Sequence, residues 1–196
     1  MTEMIGSPGC PVPADWRAAA RAIRPALMPA DSDAPLTTDG PAGLAVAYVV
    51  VADGAEVPVA PRHLRAWGVE PHDVQYAAMS NLAAWSESAA WVEEVDGRRR
   101  LVWSDSGEGM DAARILLAGV RRRLADELGS RGRVLVAMPE RDLLIATGAA
   151  RHDRELEALF ADYVAGRAKT AEEPIDARVF ELVDGQLVES GIEPGA

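Results

Sequence analysis

Runs of apolar residues alternate with short turn-forming segments along most of the chain, and three of these turns contain Asp-Gly. The dipeptide separates the two halves of the stretches AYVVVADGAEVPV, WVEEVDGRRRLVW and ARVFELVDGQLVE. Because Asp and Gly accept the positive φ angles of a type I′ turn, each stretch predicts a two-residue β-hairpin. In the second hairpin such a turn would place Glu94 opposite Arg99 and Glu93 opposite Arg100.

A fourth hairpin is predicted for VLVAMPERDLLIATG, residues 134–148, where two apolar runs enclose a polar corner. Pro139 fits the second position of a type I turn after Met138, and Asp142 can accept backbone hydrogen bonds within the corner. Four hairpins indicate antiparallel strand pairing and not a Rossmann-type parallel sheet.

Helical periodicity fills most of the space between the hairpins. The segments are PRHLRAW, ended by Gly68, then PHDVQYAAMSNLAAW, GMDAARILLAGVRRRLADELG and RELEALFADYVAG. Each of the last three segments has an apolar stripe at helical spacing. The stripe of PHDVQYAAMSNLAAW contains Val74, Ala78 and Leu82, and the stripe of GMDAARILLAGVRRRLADELG contains Ala113, Leu116, Val120 and Leu124. The stripe of RELEALFADYVAG contains Leu156, Leu159, Phe160 and Tyr163. The pattern predicts an α+β fold in which helices pack on one face of an antiparallel sheet built from β-hairpins.

The first 41 residues differ in composition from the rest, because they hold seven of the thirteen prolines. We expect residues 1–41 to form a partly disordered leader that is dispensable for folding. Within it, residues 15–24 could form a short helix capped by Asp15 and stopped by Pro25. Residues 42–190 are predicted to form a single domain, and residues 191–196 a frayed tail.

The formal charge of −11 disfavours nucleic acids and anionic membranes as partners. Cys10 is the only cysteine, which excludes an intrachain disulfide and favours a reducing, cytoplasmic setting. The longest apolar run, residues 43–52, is about half the ~20 residues that span a bilayer. No feature of the sequence indicates the oligomeric state.

Motifs for catalysis or metal binding are missing from the sequence. His63, His72 and His152 lie far apart, and none begins a metal-ligand spacing. No G-x-S-x-G element is present, and the SGEGM segment at 106–110 lacks the remainder of a phosphate loop. We therefore expect no catalytic residue, metal or cofactor.

The hairpin corner gives the one candidate site. If the helix from Gly109 to Gly129 runs antiparallel to the strand at Val134, the corner returns toward the start of the helix. Arg141 would then lie at the same end of the molecule as Glu108 and Asp111, either paired with one of them, meeting a partner or merely solvated. The candidate binding residues are Asn81, Glu108, Asp111, Arg114, Arg141 and Asp142.

Four segments in a fixed order, LRAWGV (64–69), NL (81–82), EGMDAAR (108–114) and VAMPERDLLI (136–145), carry a family resemblance. Through them, residues 44–190 resemble the YtpQ-like family of uncharacterised bacterial proteins. The chain departs from that pattern at Glu108, Met110 and Ala113, where the family tends to have Asp, Tyr and Ser. The resemblance implies a shared fold and brings no established reaction.

The function these observations favour is a non-catalytic module that binds or regulates a protein partner. One alternative is a hydrolase or transferase that uses the acidic and Arg residues at 108–114 and 139–142. A third is a nucleotide or nucleic-acid binder that uses Arg114 and Arg121–Arg123.

Overall fold

A computed structural model describes residues 4–5, 12–52, 54–96 and 99–194. The chain divides into two compact units. Unit 1 contains the described residues of Met1–Asp39 and of Leu44–Ser88, and unit 2 contains those of Gly40–Gly43 and of Ala89–Ala196. The fold is α+β with antiparallel strands, as the sequence predicts, but it is divided differently from the predicted leader and single domain.

The described residues of unit 1 form six strands and three helices. The strands are β1 (Met4–Ile5), β2 (Val12–Pro13), β3 (Ile23–Met28), β4 (Thr37–Asp39), β5 (Ala45–Ala52) and β6 (Ala55–Pro58), and the helices are α1 (Trp16–Ala22), α2 (Pro61–Trp67) and α3 (Pro71–Glu87). Strand β5 pairs with β3 along one edge and with β4 and β6 along the other. Val74, Ala78 and Leu82 of α3 are fully buried, so the predicted stripe of this helix is confirmed.

The predicted leader is not disordered over most of residues 12–39, which form β2, α1, β3 and β4. Whether it is dispensable for folding stays a prediction. Ile23 and Leu27 are buried in β3, which pairs with β5 over six residues. Helix α1 forms as predicted, with the Asp15 carboxylate accepting from the Ala18 amide at 2.9 Å. It ends at Ala22, however, and Pro25 lies within β3 opposite Tyr48. A strand tolerates proline where no ladder bond needs its N–H. Residues 1–3 and 6–11 lie outside the described part of the predicted leader.

Unit 2 is built on a six-stranded antiparallel sheet. Its strands are β7 (Val92–Asp96), β8 (Arg99–Ser104), β9 (Arg133–Glu140), β10 (Leu143–Ala149), β11 (Phe180–Val183) and β12 (Gln186–Glu189), in the order β12-β11-β9-β10-β8-β7. Its helices are α4 (Ala118–Leu128) and α5 (Arg154–Thr170), with 3-10 segments at Pro41–Gly43, Ala112–Leu116 and Gly129–Arg131. In the predicted tail, residues 191–194 have no regular structure, but Ile192 packs against the core of this unit.

Helices lie on both faces of this sheet and not on one. Leu135 and Ala137 of β9 form a buried cluster with Phe160 of α5 on the first face. On the other face Gly148 of β10 meets α4, and a Cβ at Gly148 would lie 2.7 Å from the Leu128 carbonyl oxygen. Glycine at this position therefore permits the close approach of helix and sheet.

The predicted helix from Gly109 to Gly129 is broken at Leu117, which has an extended backbone. The Arg121 guanidinium donates to the carbonyls of Ile115 and Leu116 at 2.7 and 2.9 Å, so those carbonyls need no helical partner. Residues 111–115 are all buried, whereas Leu116 is only half-buried. The prediction that Leu116 belongs to the core is wrong.

The buried stripe of α5 is shifted by one residue from the predicted one. Phe160 is buried as predicted, but Leu159 is 53 % exposed and Tyr163 is 46 % exposed. Glu157 is almost fully buried instead, and Arg133 donates to it at 2.6 Å. A hydropathy pattern cannot predict a buried carboxylate on a helix when the cation that stabilises it comes from a strand elsewhere in the chain.

The predicted hairpins all form, but the details differ. Val183 lies opposite Gln186, and Asp184 and Gly185 both have positive φ, which confirms the type I′ turn. Ala52 lies opposite Ala55, so the first hairpin also connects over two residues, of which Asp53 lies outside the described residues.

In the second hairpin the connection lies one residue further along the chain than predicted, so each residue of β7 pairs with a partner two positions away from the predicted one. Asp96 lies opposite Arg99, and the connecting residues 97 and 98 lie outside the described residues. The Glu93–Arg100 ion pair is present at 2.6 Å although the two residues are not directly opposed. Arg99 pairs with Glu155 of α5 at 2.8 Å and not with Glu94 as predicted, because the shift places Glu94 opposite Leu101.

The fourth hairpin turns over Arg141 and Asp142, since Glu140 pairs with Leu143. The prediction that Pro139 lies in the turn is wrong, because Pro139 belongs to β9. A register shift between Leu143 and Ile145 marks a bulge beside Pro139, where the ladder can do without its missing N–H.

Candidate functional site

The hairpin corner and the loop before the 3-10 segment meet in unit 2, as predicted. The Gly109 amide donates to the Asp142 carboxylate, and the Ala112 amide donates to the Arg141 carbonyl at 3.0 Å. The Arg141 guanidinium also donates to the Gly109 carbonyl at 3.4 Å. These bonds attach the hairpin corner to the loop. Glu108, which directly precedes Gly109 in this loop, is exposed.

Asp111 lies at the centre of this junction and is fully buried. Its two oxygens accept from the Ser104 and Ser106 hydroxyls, from the Ser106 amide at 2.9 Å and from Arg114 at 3.2 Å. Burial raises the pKa of Asp111, but these hydrogen bonds and the Arg114 charge outweigh it, so the pKa lies below its usual value. The carboxylate is thus held ionised as part of the structure, and Arg114 is buried beside it.

Arg141 pairs with Glu173 at 2.8 Å. The sequence analysis did not identify Glu173 as a candidate. Together with three further carboxylates these two side chains line an open cleft of about 290 Å³; the lining residues are Glu140, Arg141, Asp142, Glu172 and Glu173. Glu140 is also paired with Arg167 of α5. Residues 172–173 lie some thirty positions from the corner, so no local pattern could have indicated this cleft.

Asn81 belongs to unit 1, whereas the other candidate residues belong to unit 2. Its side-chain amide donates to the Ala20 and Ile23 carbonyls, both at 2.8 Å. These bonds hold the end of α1 and the start of β3 against α3. A structural role therefore accounts for the amide donors of Asn81.

The arginines of α4 are largely committed to partners within unit 2. Arg121 binds three carbonyl oxygens, the third being that of Gly185 at 2.8 Å. Arg123 pairs with Glu127 at 2.7 Å and covers the ring of Trp91. Arg122 is exposed at the edge of a cleft that also includes Asp184. The segment is not a uniformly cationic face.

His63 is a buried histidine of unit 1 with a local structural role. Its Nδ1 accepts from the Ala60 amide at 3.1 Å, at the start of α2, and its ring lies 5.5 Å from that of Trp67. Burial, together with the nearby Arg62 charge, lowers its pKa. Across the described ranges, no group of three or more His, Cys, Asp or Glu side chains is arranged to hold a metal ion.

A surface that the sequence did not indicate lies along one flank of α5, beside β8 and β7. One side of α5 faces β9 and β11, because Arg133 of β9 binds both Glu157 of α5 and Glu181 of β11. The opposite flank faces β8, since Glu155 pairs with Arg99 there. Leu156, Leu159 and Tyr163 follow this flank at helical spacing, and the sheet beside it presents Leu101, Trp103 and Val92. We call these six residues the flank surface.

No protein-family model matches the chain, and neither a curated protein nor a solved structure does. In the described residues, no helix combines the length and the apolar character needed to cross a bilayer. The resemblance to the YtpQ-like family thus stays a hypothesis.

Proposed function

We propose that the protein is a non-catalytic module that binds another protein through the flank surface. The observation that carries the proposal is the exposure of Leu159 and Tyr163, which lie one turn apart on α5. Val92 is also 46 % exposed, opposite Trp103 in the neighbouring strand. Contiguous exposed apolar side chains with a polar surround are typical of protein-binding surfaces.

The state of the acidic site argues against the hydrolase or transferase alternative. A general acid at neutral pH needs a carboxyl group whose pKa is raised. Asp111 has a lowered pKa instead, and both of its oxygens are occupied by donors from the protein. Asp142 binds the Gly109 amide and Arg141 binds Glu173, which are contacts that hold loops together.

The setting that we propose is a reducing compartment such as the cytoplasm, because Cys10 is the only cysteine. Nucleic acid is a poor partner for a chain with a formal charge of −11. Membership of the YtpQ-like family is part of the same hypothesis and would add a fold to it but no ligand.

The experiment compares the wild type with the double variant Leu159→Ser/Tyr163→Ser as baits in a native lysate. Tyr76→Ser is the matched control, since Tyr76 is 77 % exposed on α3 of unit 1. A protein retained by the wild type and by the control, but lost from the double variant, is then purified and its Kd measured by calorimetry. We expect at least about a tenfold loss of affinity in the double variant. Equal affinity of all three baits would refute the role of the flank surface.

A further inference from the structure

We propose that the segment of the partner bound here is an extended strand with basic side chains on one face, which adds to the edge of the sheet along β7. This inference rests on the proposed function and specifies the chemistry of the partner. Strand β7 is the last of the six strands, and all five of its residues are exposed. An edge strand directs the N–H and C=O of every second residue away from the sheet, and another chain can bind them.

The register identifies which backbone groups of β7 point outward. Asp96 lies opposite Arg99 across a two-residue connection, so these two residues form a hydrogen-bonded pair. Hydrogen-bonded and non-hydrogen-bonded pairs alternate along an antiparallel ladder. Glu94 therefore also forms a hydrogen-bonded pair, and its N–H and C=O point toward β8. The peptide groups of Glu93 and Val95 therefore point outward and are available to a partner strand.

Side chains beside this edge favour a cation. Glu94 and Asp96 line a cleft of about 180 Å³ together with Arg99, Arg100, Leu101, Thr147 and Leu156. The two arginines are already paired, Arg99 with Glu155 and Arg100 with Glu93. Glu94 makes no ion pair with any described residue, whereas Glu93 on the other face is bound by Arg100. A lysine or arginine of the added strand would lay its aliphatic stem on the two leucines and bring its charge to Glu94.

The acidic charge of β7 also argues against a second copy of the chain as the strand that adds to this edge. Strand β7 has the sequence VEEVD, in which three of five residues are acidic. Antiparallel pairing of two such strands would bring carboxylates of the two copies next to one another, which is destabilising. A basic strand meets the same residues with opposite charge.

The test uses labelled synthetic peptides and the full chain at about 0.15 M salt, with binding followed by fluorescence anisotropy. The first peptide alternates valine and lysine over seven residues. The second has the same composition with lysines and valines in two separate blocks, and the third alternates valine and glutamate. We expect the alternating lysine peptide to bind at least about tenfold more tightly than either control. If the two lysine peptides bind with equal affinity, general electrostatic attraction to an acidic protein explains the binding, and the proposal is overturned.

Two variants at one position test the backbone. Val95→Pro removes an outward N–H without removing a ladder bond, and Val95→Thr keeps that N–H at the same exposed position. We expect Val95→Pro to abolish peptide binding, Val95→Thr to stay within about twofold of the wild type, and Glu94→Lys to weaken binding roughly tenfold. An unchanged melting temperature shows that the variants are folded. Unaffected binding in Val95→Pro refutes strand addition.

Two further outcomes separate this inference from the proposed function. If the partner found with the flank surface binds Val95→Pro as tightly as wild type, the flank surface is used but the edge is not, and only the inference fails. If light scattering shows a wild-type dimer that Val95→Pro abolishes, the occupant is a second copy, which contradicts the basic strand.

Discussion

Different kinds of polar contact are prominent inside unit 1 and inside unit 2. In unit 1, two contacts between distant residues use neutral donors: the Asn81 amide binds the Ala20 and Ile23 carbonyls, and the Trp67 indole donates to the Pro13 carbonyl at 2.8 Å. In unit 2, guanidinium groups hold carboxylates, as when Arg133 binds Glu157 and Glu181. One chain can thus stabilise two cores by contacts that respond differently to salt, because ions screen charged contacts.

The largest expected effect distinguishes the two cores from each other. Leu27→Ala removes a buried side chain of β3 and should cost unit 1 about 2–5 kcal/mol, whereas Leu144→Ala should cost unit 2 a similar amount. Hydrogen exchange measured by mass spectrometry locates the loss, which we expect in α3 for the first variant and in β9 for the second. A cost below about 1 kcal/mol for Leu27→Ala would support the idea of a dispensable leader.

A buried charge in unit 2 should come next in size. Arg133→Leu leaves Glu157, which is only 3 % exposed, with the exposed Arg154 as its remaining ion-pair partner. We therefore expect a loss of about 2–3 kcal/mol in urea unfolding. The double variant Arg133→Leu/Glu157→Leu removes both charges and should recover much of that loss. If the double variant is as unstable as the sum of the two single ones, the pair is not coupled.

Acid should weaken the two units in different pH ranges. The pKa of His63 is lowered from 6.5, so the unfolded chain binds the proton first and stability falls as the pH drops below about 6.5. The pKa of Asp111 is lowered from 3.8, so its contribution is present above about pH 4 and is lost as the pH falls through the lower folded value.

Hydrogen exchange at pH 7, 5.5 and 3.5 checks this order. We expect protection in α2 to decline first and protection around residues 104–114 to decline only at the lowest pH. His63→Gln should flatten the first decline and leave the second unchanged. Simultaneous loss in both regions would contradict the assignment of the two groups.

The smallest effect concerns an exposed counterpart of the Arg133 pair. Arg123 bonds Glu127 four residues away on α4, with its side chain 43 % exposed. Arg123→Gln should therefore cost only about 0.3–0.5 kcal/mol, and less at 1 M salt. A loss as large as that of Arg133→Leu would show that burial is not what separates the two pairs; the contact of Arg123 with Trp91 would then account for the excess.

Features that depend on neighbouring residues were predictable from the sequence. Gly68 ends α2 in the left-handed conformation, and Asp184-Gly185 makes its turn, because both depend on local backbone preference. The stripe on α3 also follows from spacing alone. Even the approach of the hairpin corner to Gly109 could be predicted, since only a short loop separates helix and strand.

Contacts between residues that lie far apart in the chain could not be predicted from the sequence. Glu157 occupies a core position because Arg133 binds it, Arg141 pairs with Glu173, and Arg121 binds the Gly185 carbonyl. The division into two units, which turns the proline-rich segment into part of a sheet, has the same origin. In each case the stabilising partner lies outside the local window, and an ion pair or strand pairing that forms only on folding outweighs a local preference.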